Sequence, residues 1–451
     1  MIFTEFIIQE LQHLLYITDI NNVLNTTIQY KEYKKKYFYW KLNKKKSLEY
    51  YYPIMNNGVK QLMHDLKDLD LKDLDFYNYI NSIILNPNKQ LSLNYNYCYN
   101  HITDEGVSHI GNCHSLNLHC CKNITNECLK YLSNVHTLIL SACPQVTNDS
   151  IKYLENVKKL DINGGNHITG EGIKFLITLQ SLDLSRCDII KNYTIDVIKT
   201  LGNTLHTLKM SGCDITDDYV KVLGKIHTLK LDQCYMITDE GIKHLGGVHT
   251  LDLGWCNEIT DEGIKYLVNC HTLLLEGCNI TDKSVKLLGN LHTLNLSRCK
   301  NITDESVIHL GNLHSLNLHG NKLVTNKGIK RLGRLNSLLL SGNKLVTDAG
   351  VKHLGKLYLL ELGACLITDI CLPYLAECHT LYLSACDKIT DKGVKYLGNV
   401  HTLNLHACNK ITDEGLKYLG GVKDLDISAC PKLTKEAFEQ YIYPFGCKLR
   451  N

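Results

Sequence analysis

Twenty cysteines and 21 histidines stand in this 451-residue chain. Thiols and imidazoles are common metal ligands, nucleophiles and bases, so their spacing decides which chemistry is open to them. A metal centre needs clustered ligands such as C-x2-C, and a catalytic histidine is normally singular. These residues recur instead. Cys121, Cys143, Cys187, Cys213, Cys234, Cys256, Cys278, Cys299, Cys365, Cys386, Cys408 and Cys430 hold one column, with Asn321, Asn343 and Gly165 in that place elsewhere. Cysteine and asparagine share a small side chain that can donate to backbone carbonyls, so the column reads as a structural ladder of buried free thiols in a reducing compartment. Cys113, Cys270 and Cys378 replace Val or Leu three residues before a recurring leucine and read as small core residues. His114, His136, His206, His227, His249, His271, His292, His314, His379 and His401 lie two before that leucine. They read as a row of rings packed on one another, partly buried, with their proton affinity lowered. His119 beside Cys120 and Cys121 comes nearest to a ligand cluster, and core-plus-surface explains it better. No metal and no cofactor are expected.

The elements behind these columns form an internal repeat. Its first strand leucine falls at Leu116, Leu138, Leu160, Leu182, Leu208, Leu229, Leu251, Leu273, Leu294, Leu316, Leu338, Leu360, Leu381, Leu403 and Leu425. Thirteen of the fourteen steps are 21 or 22 residues, and the exception of 26 carries an insertion between Lys191 and Thr204. A looser copy starts near Leu91 or Leu93. In the unit of Val400, Leu403, Leu405 and Cys408, a short strand puts the two leucines on one face and Thr402, Asn404 and His406 on the other. Thr412 to Leu419 reads as a helix of about two turns, with Thr412 as N-cap, acidic residues in its first turn and Gly420 at its end. One unit cannot bury its apolar face alone, but stacked units can. Sixteen strands at ~4.8 Å would line an inner arc on the order of 75 Å, with the thicker helices outside.

The pattern L-x-x-L-x-L-x-x-C/N followed by I-T-D-x-G resembles the cysteine-containing subclass of leucine-rich repeats, common in F-box proteins. The resemblance covers roughly residues 91 to 433 and implies an α/β leucine-rich-repeat solenoid, curved, with parallel strands on the concave face and short helices on the convex face. Residues 1–42 do not repeat and read as two or three short helices. Phe3, Glu5, Leu11, Leu14, Ile20, Val23, Leu24 and Trp40 resemble a degenerate F-box there, although Phe3 stands where that family has proline. Residues 43–90 read as linker and cap, and residues 434–451 as a C-terminal cap with a helix over Glu436 to Tyr443. The Lys-, Asn-, Ile- and Tyr-rich composition resembles that of giant DNA virus proteins of amoebae.

Function in such an array falls on its exposed strand positions. Most are small and polar, among them Ser141, Asp161, Asp252, Asn295, Ser297, Ser341 and Asn404. The departures are Trp255, Leu274, Glu276 and Arg298 in consecutive repeats, and Tyr382 further on. Trp, Tyr and Arg are the usual anchors of protein interfaces, so these five form the expected target-binding patch. A net charge of +3 on 49 basic and 46 acidic residues argues against a dedicated nucleic-acid binder. No run of ~18 apolar residues marks a membrane span, and no signal segment leads the chain. No phosphate loop, catalytic carboxylate pair or nucleophile elbow suggests an enzyme. The F-box resemblance implies a substrate receptor of a cullin-type ubiquitin ligase, docking a Skp-type adaptor through residues 1–42, cytoplasmic or nuclear, and monomeric outside its complex. The alternative is a stand-alone binding or inhibitor module.

Overall fold

The chain traces one short path again and again, because each repeat spells the same path. The computed structural model describes residues 92–94, 102–108, 110–164, 167–187, 190, 192–445 and 448–449. The F-box-like residues Phe3, Glu5, Leu11, Leu14, Ile20, Val23, Leu24 and Trp40 therefore lie outside the described residues, as does the segment 43–90. Contacts group the chain into two compact units, one reaching residue 208 without Leu201–Asn203, the other holding those three residues and Lys209–Asn451.

In the first unit the strands Ser92–Asn94, Ser115–Asn117, Thr137–Ile139, Lys159–Asp161 and Ser181–Asp183 pair in parallel, leucine opposite leucine. In the second, strands from Thr228–Lys230 to Asp424–Asp426 pair the same way, as in Leu251 opposite Leu273. Strand Thr207–Lys209 lies at the division, and helix Ile195–Thr204, the insertion of the sequence, precedes it. The core is a set of columns. Leu403, Leu405, Cys408, Ile411, Leu416 and Leu419 of one repeat are all buried, and so are Leu251, Leu253, Cys256, Ile259, Ile264 and Leu267 of another.

The helices are shorter than the spacing predicts. Asp413–Leu416 is a single turn. After it the chain tightens to bonds spanning three residues, Tyr418 N to Gly415 O at 3.2 Å and Leu419 N to Leu416 O at 3.0 Å, so the helix stops well before Gly420. A step of 22 residues leaves too little chain for two helical turns once strand and crossover are closed. The C-terminal helix does form, over Lys435–Tyr441.

Two ladders tie neighbouring repeats together. Asp391 Oδ1 accepts the Thr412 amide at 2.9 Å, and its Oδ2 accepts the Thr412 hydroxyl at 2.7 Å. Asp239 makes the same pair of bonds to Thr260, and Asp304 to Thr325. Thr412 also caps its own helix by accepting from the Glu414 amide. The glycine of I-T-D-x-G follows from this: a Cβ on Gly415 would sit 2.5 Å from Asp391 Oδ1. Where serine takes that place its hydroxyl bonds the carboxylate or amide oxygen instead, as Ser284 does to Asp261 at 2.5 Å and Ser150 to Asn126 at 2.7 Å. The second ladder is the thiol column. Cys256 Sγ donates to Leu231 O at 3.2 Å and Cys408 Sγ to Leu383 O at 3.2 Å, while Asn343 Nδ2 donates to Leu318 O at 2.9 Å. All eighteen cysteines among the described residues are free, and seventeen are buried. Burial pushes the thiols up to about 12 at Cys234, Cys278 and Cys408, so they stay protonated.

Candidate protein-binding face

The strand face is shaped by a left-handed turn that sequence reasoning missed. The residue before the turn cysteine has positive φ in each described repeat from Cys120 to Ala429: five are glycine, five alanine, and the others Cys120, Arg186, Gln233, Trp255 and Arg298. The conformation extends the parallel ladder by one rung, as Trp255 N donates to Glu276 O at 2.7 Å and Arg298 N to His319 O at 2.8 Å. A side chain there costs on the order of 1 kcal/mol against glycine. The signal was the run of Gly and Ala in that column.

The small polar strand residues are structural. Asn295 Oδ1 accepts the Ser297 amide at 2.9 Å, Asp161 Oδ1 the Asn163 amide at 3.0 Å, and Asn404 Oδ1 the His406 amide at 2.9 Å. Each holds the turn closed. Ser141, Ser297 and Ser341, expected on the exposed face, are buried at 2 %, 3 % and 7 % exposure between neighbouring repeats. Leu274 and Tyr382 occupy the Asn/Asp place and forgo this bond, having no acceptor at that position.

Four of the five expected patch residues are neighbours. Trp255 is 37 % exposed, and its ring lies over Gly277 of the next repeat, where a Cβ would meet Trp255 Cε3 at 2.6 Å. Glu276 Oε1 pairs with Arg298 Nη1 at 3.2 Å. Leu274 and Glu276 are half-buried and Arg298 is exposed. Beside them, burial chiefly raises the Asp252 carboxyl, against the bond from the Gly254 amide, and the charges of Asp232 and Glu276 add to the rise. Tyr382 stands four repeats beyond Arg298, about 20 Å away at strand spacing, and does not join the patch.

The histidine column stacks as expected. Ring centroids lie 4.6 Å apart at His114–His136, 4.3 Å at His227–His249 and 4.4 Å at His271–His292. It is less buried than predicted: His227, His249, His271, His292, His314 and His401 are exposed. The rings cover each other, not the core. Nδ1 of His271 meets the Thr272 hydroxyl at 3.3 Å, and His292 meets Thr293 at 3.2 Å. Along this edge of the second unit runs a groove of about 930 Å³. Among the described residues no three His, Cys, Asp or Glu are grouped to hold a metal. No helix among them is long and apolar enough to cross a membrane.

Known proteins share this unit. The Leucine Rich repeat family matches residues 175–192, 203–221, 248–268, 290–311 and 399–420. These are leucine-rich repeats. A leucine-rich-repeat protein of Leptospira interrogans superposes with a TM-score of 0.51 at 22% identity, covering 82% of this chain and 98% of that one. An internalin of Listeria monocytogenes aligns at 24% identity and a TM-score of 0.49, over 71% of this chain and 93% of its own. No curated protein matches the chain. The resemblance to leucine-rich repeats drawn from the sequence thus holds for the repeat and the fold, with many buried cysteines. Nothing in these matches points to an F-box or a virus. Leucine-rich repeats are typically protein-binding scaffolds.

Proposed function

We propose that this leucine-rich-repeat protein is a protein-binding scaffold whose target is gripped on the strand face around Trp255, Leu274, Glu276 and Arg298. One observation carries the reading. Trp255 holds a left-handed backbone that glycine would occupy without strain, yet it presents a large, partly exposed ring. Ten non-glycine residues share this backbone and five of them are alanine, so what sets Trp255 apart is its large ring, the kind of side chain that anchors protein interfaces. The ring, the half-buried Leu274 and the Glu276–Arg298 pair suit a target offering an apolar pocket rimmed by charge of both signs. Comparative affinity capture with wild type, Trp255→Gly and Arg298→Glu tests this. Targets lost from both variants support the patch, and identical target sets rule it out.

The finer reading is a substrate receptor of an SCF-type ubiquitin ligase. Its support is the F-box resemblance of residues 1–42, with Phe3, Glu5, Leu11, Leu14, Ile20, Val23, Leu24 and Trp40 meeting a Skp-type adaptor. The protein would then do no chemistry itself and would raise the effective concentration of target lysines near a charged conjugating enzyme. Co-purification with a Skp-type adaptor, lost when residues 1–42 are deleted, is the expected result. If the intact chain fails to bind the adaptor, the stand-alone binding or inhibitor module remains.

A further inference from the structure

The charge of this chain is not spread evenly. Between Lys322 and Lys356 stand eight lysines and arginines and one acidic residue, Asp348. The whole chain carries only +3, so the remainder is net negative. Asp348 is already engaged, accepting the Thr368 amide at 2.8 Å and hydroxyl at 2.7 Å. Four of the cations line two adjoining grooves. Arg334 and Lys356 line the 930 Å³ groove along the histidine edge, and Lys330, Arg331 and Arg334 line an adjoining groove of about 540 Å³. Glu377 is the sole carboxylate of either lining. All four cations are exposed. None has an ion-pair partner among the described residues.

The repeat pattern shows these charges to be departures. Arg331 takes the column that holds Tyr131, Tyr266 and Tyr396 in other repeats, and Arg334 and Lys356 take the place of Asn269, Asn290 and Asn312. Arginine is scarce in the chain, and two of its five copies stand here. Beside them the ladder adds hydrogen-bond capacity. Nδ1 of His271 and of His292 is committed to the following threonine hydroxyl, which leaves Nε2 for a ligand. Both faces of His271 and His292 are covered by neighbouring rings at 4.4 Å, and one face of Tyr358 lies on His379 at 4.3 Å. Single-stranded nucleic acid is held by stacking on free aromatic faces. This edge offers ring edges, amides and cations instead, which suit carboxylates and peptide carbonyls.

We propose that this edge of the second unit is a docking groove for an acidic segment of a partner protein, distinct from the Trp255 face. Anisotropy of a fluorescein-labelled ten-residue Glu/Asp peptide, titrated with the full chain at 50 and 150 mM salt, tests it. Labelled oligo-dT of equal charge forms the second arm. The peptide is expected to bind more tightly than oligo-dT and to weaken with salt. The double variant Arg331→Glu/Arg334→Glu should lose about tenfold in affinity. A charge-matched control, Arg186→Glu/Lys432→Glu, should lose less than threefold, which separates the groove from net charge. No peptide binding at low salt, tighter binding of oligo-dT, or an equal loss in the control each overturns the proposal. None of these variants touches Trp255, so the outcome is independent of the strand-face reading.

Discussion

Replacing Gly415 with alanine should destabilise this protein, although alanine is the better helix former by about 1 kcal/mol. The new Cβ would lie 2.5 Å from Asp391 Oδ1. Asp391 must then retreat from Thr412, whose amide and hydroxyl it holds at 2.9 and 2.7 Å. Bonds to an ionised acceptor contribute roughly 1.5 kcal/mol each in a half-buried setting, so losing most of two costs about 2.5 kcal/mol. Subtracting the helix gain leaves a net loss of about 1.5 kcal/mol. With an unfolding slope on the order of 3 kcal/mol per M, the urea midpoint should fall by about 0.5 M. Gly415→Ser should cost less than alanine, because its hydroxyl can bond the same carboxylate as Ser284 bonds Asp261. In an Asp391→Ala background the alanine penalty should vanish. Urea titrations followed by circular dichroism read the four variants, the Asp391→Ala background among them, against wild type. A midpoint raised by alanine, serine worse than alanine, or a penalty surviving without Asp391 would refute the inter-repeat ladder as the reason for this glycine.

Other outcomes follow from the same geometry. Trp255→Gly should leave stability unchanged or raise it by about 1 kcal/mol by relieving the left-handed tryptophan, while target capture is lost; a clear loss of stability would mean the ring is structural. Asn343→Cys should be neutral or stabilising, since a thiol can bond the Leu318 carbonyl and removes the unsatisfied buried Oδ1 of Asn343, whereas Asn343→Leu should cost about 2 kcal/mol in thermal or urea unfolding. The urea midpoint should fall from pH 7.5 to 5.5. His136 and His271 are lowered first by desolvation in the stack and then by neighbouring histidines, so the unfolded chain binds protons first as pH drops below about 6.5, and stability is complete only above that value; equal midpoints would refute this. Of the described thiols Cys120 should react first with iodoacetamide, since it alone is not buried and its Sγ lies 3.2 Å from His119 Nε2, which bonds Ser141 through Nδ1 at 2.6 Å; peptide mapping should show the buried thiols labelled only on denaturation, and His119→Gln should slow Cys120.

The amino-acid sequence by itself determined the repeat, its length, the parallel strands, the buried thiols and the stacked histidines. Each follows from a residue type that recurs at one step, and a column of like residues has few places to go in a stack. Leu403, Leu405 and Cys408 could be assigned to the core from spacing alone, and so could Trp255 and Arg298 to the strand face. Other features were decided only when repeats met. The Asp391 carboxylate reads as a helix-dipole residue in its own unit, yet its two partners stand 21 residues on. Ser141 and Ser297 look exposed along one strand, but stacking against neighbouring repeats buries them. The left-handed turn under Trp255 arises because its amide reaches for Glu276 O across the repeat boundary. The cationic groove needs Arg334 and Lys356 of successive repeats side by side. A polar side chain can be satisfied within its own turn or by a neighbour. Local patterning does not say which, and stacking supplies the neighbour.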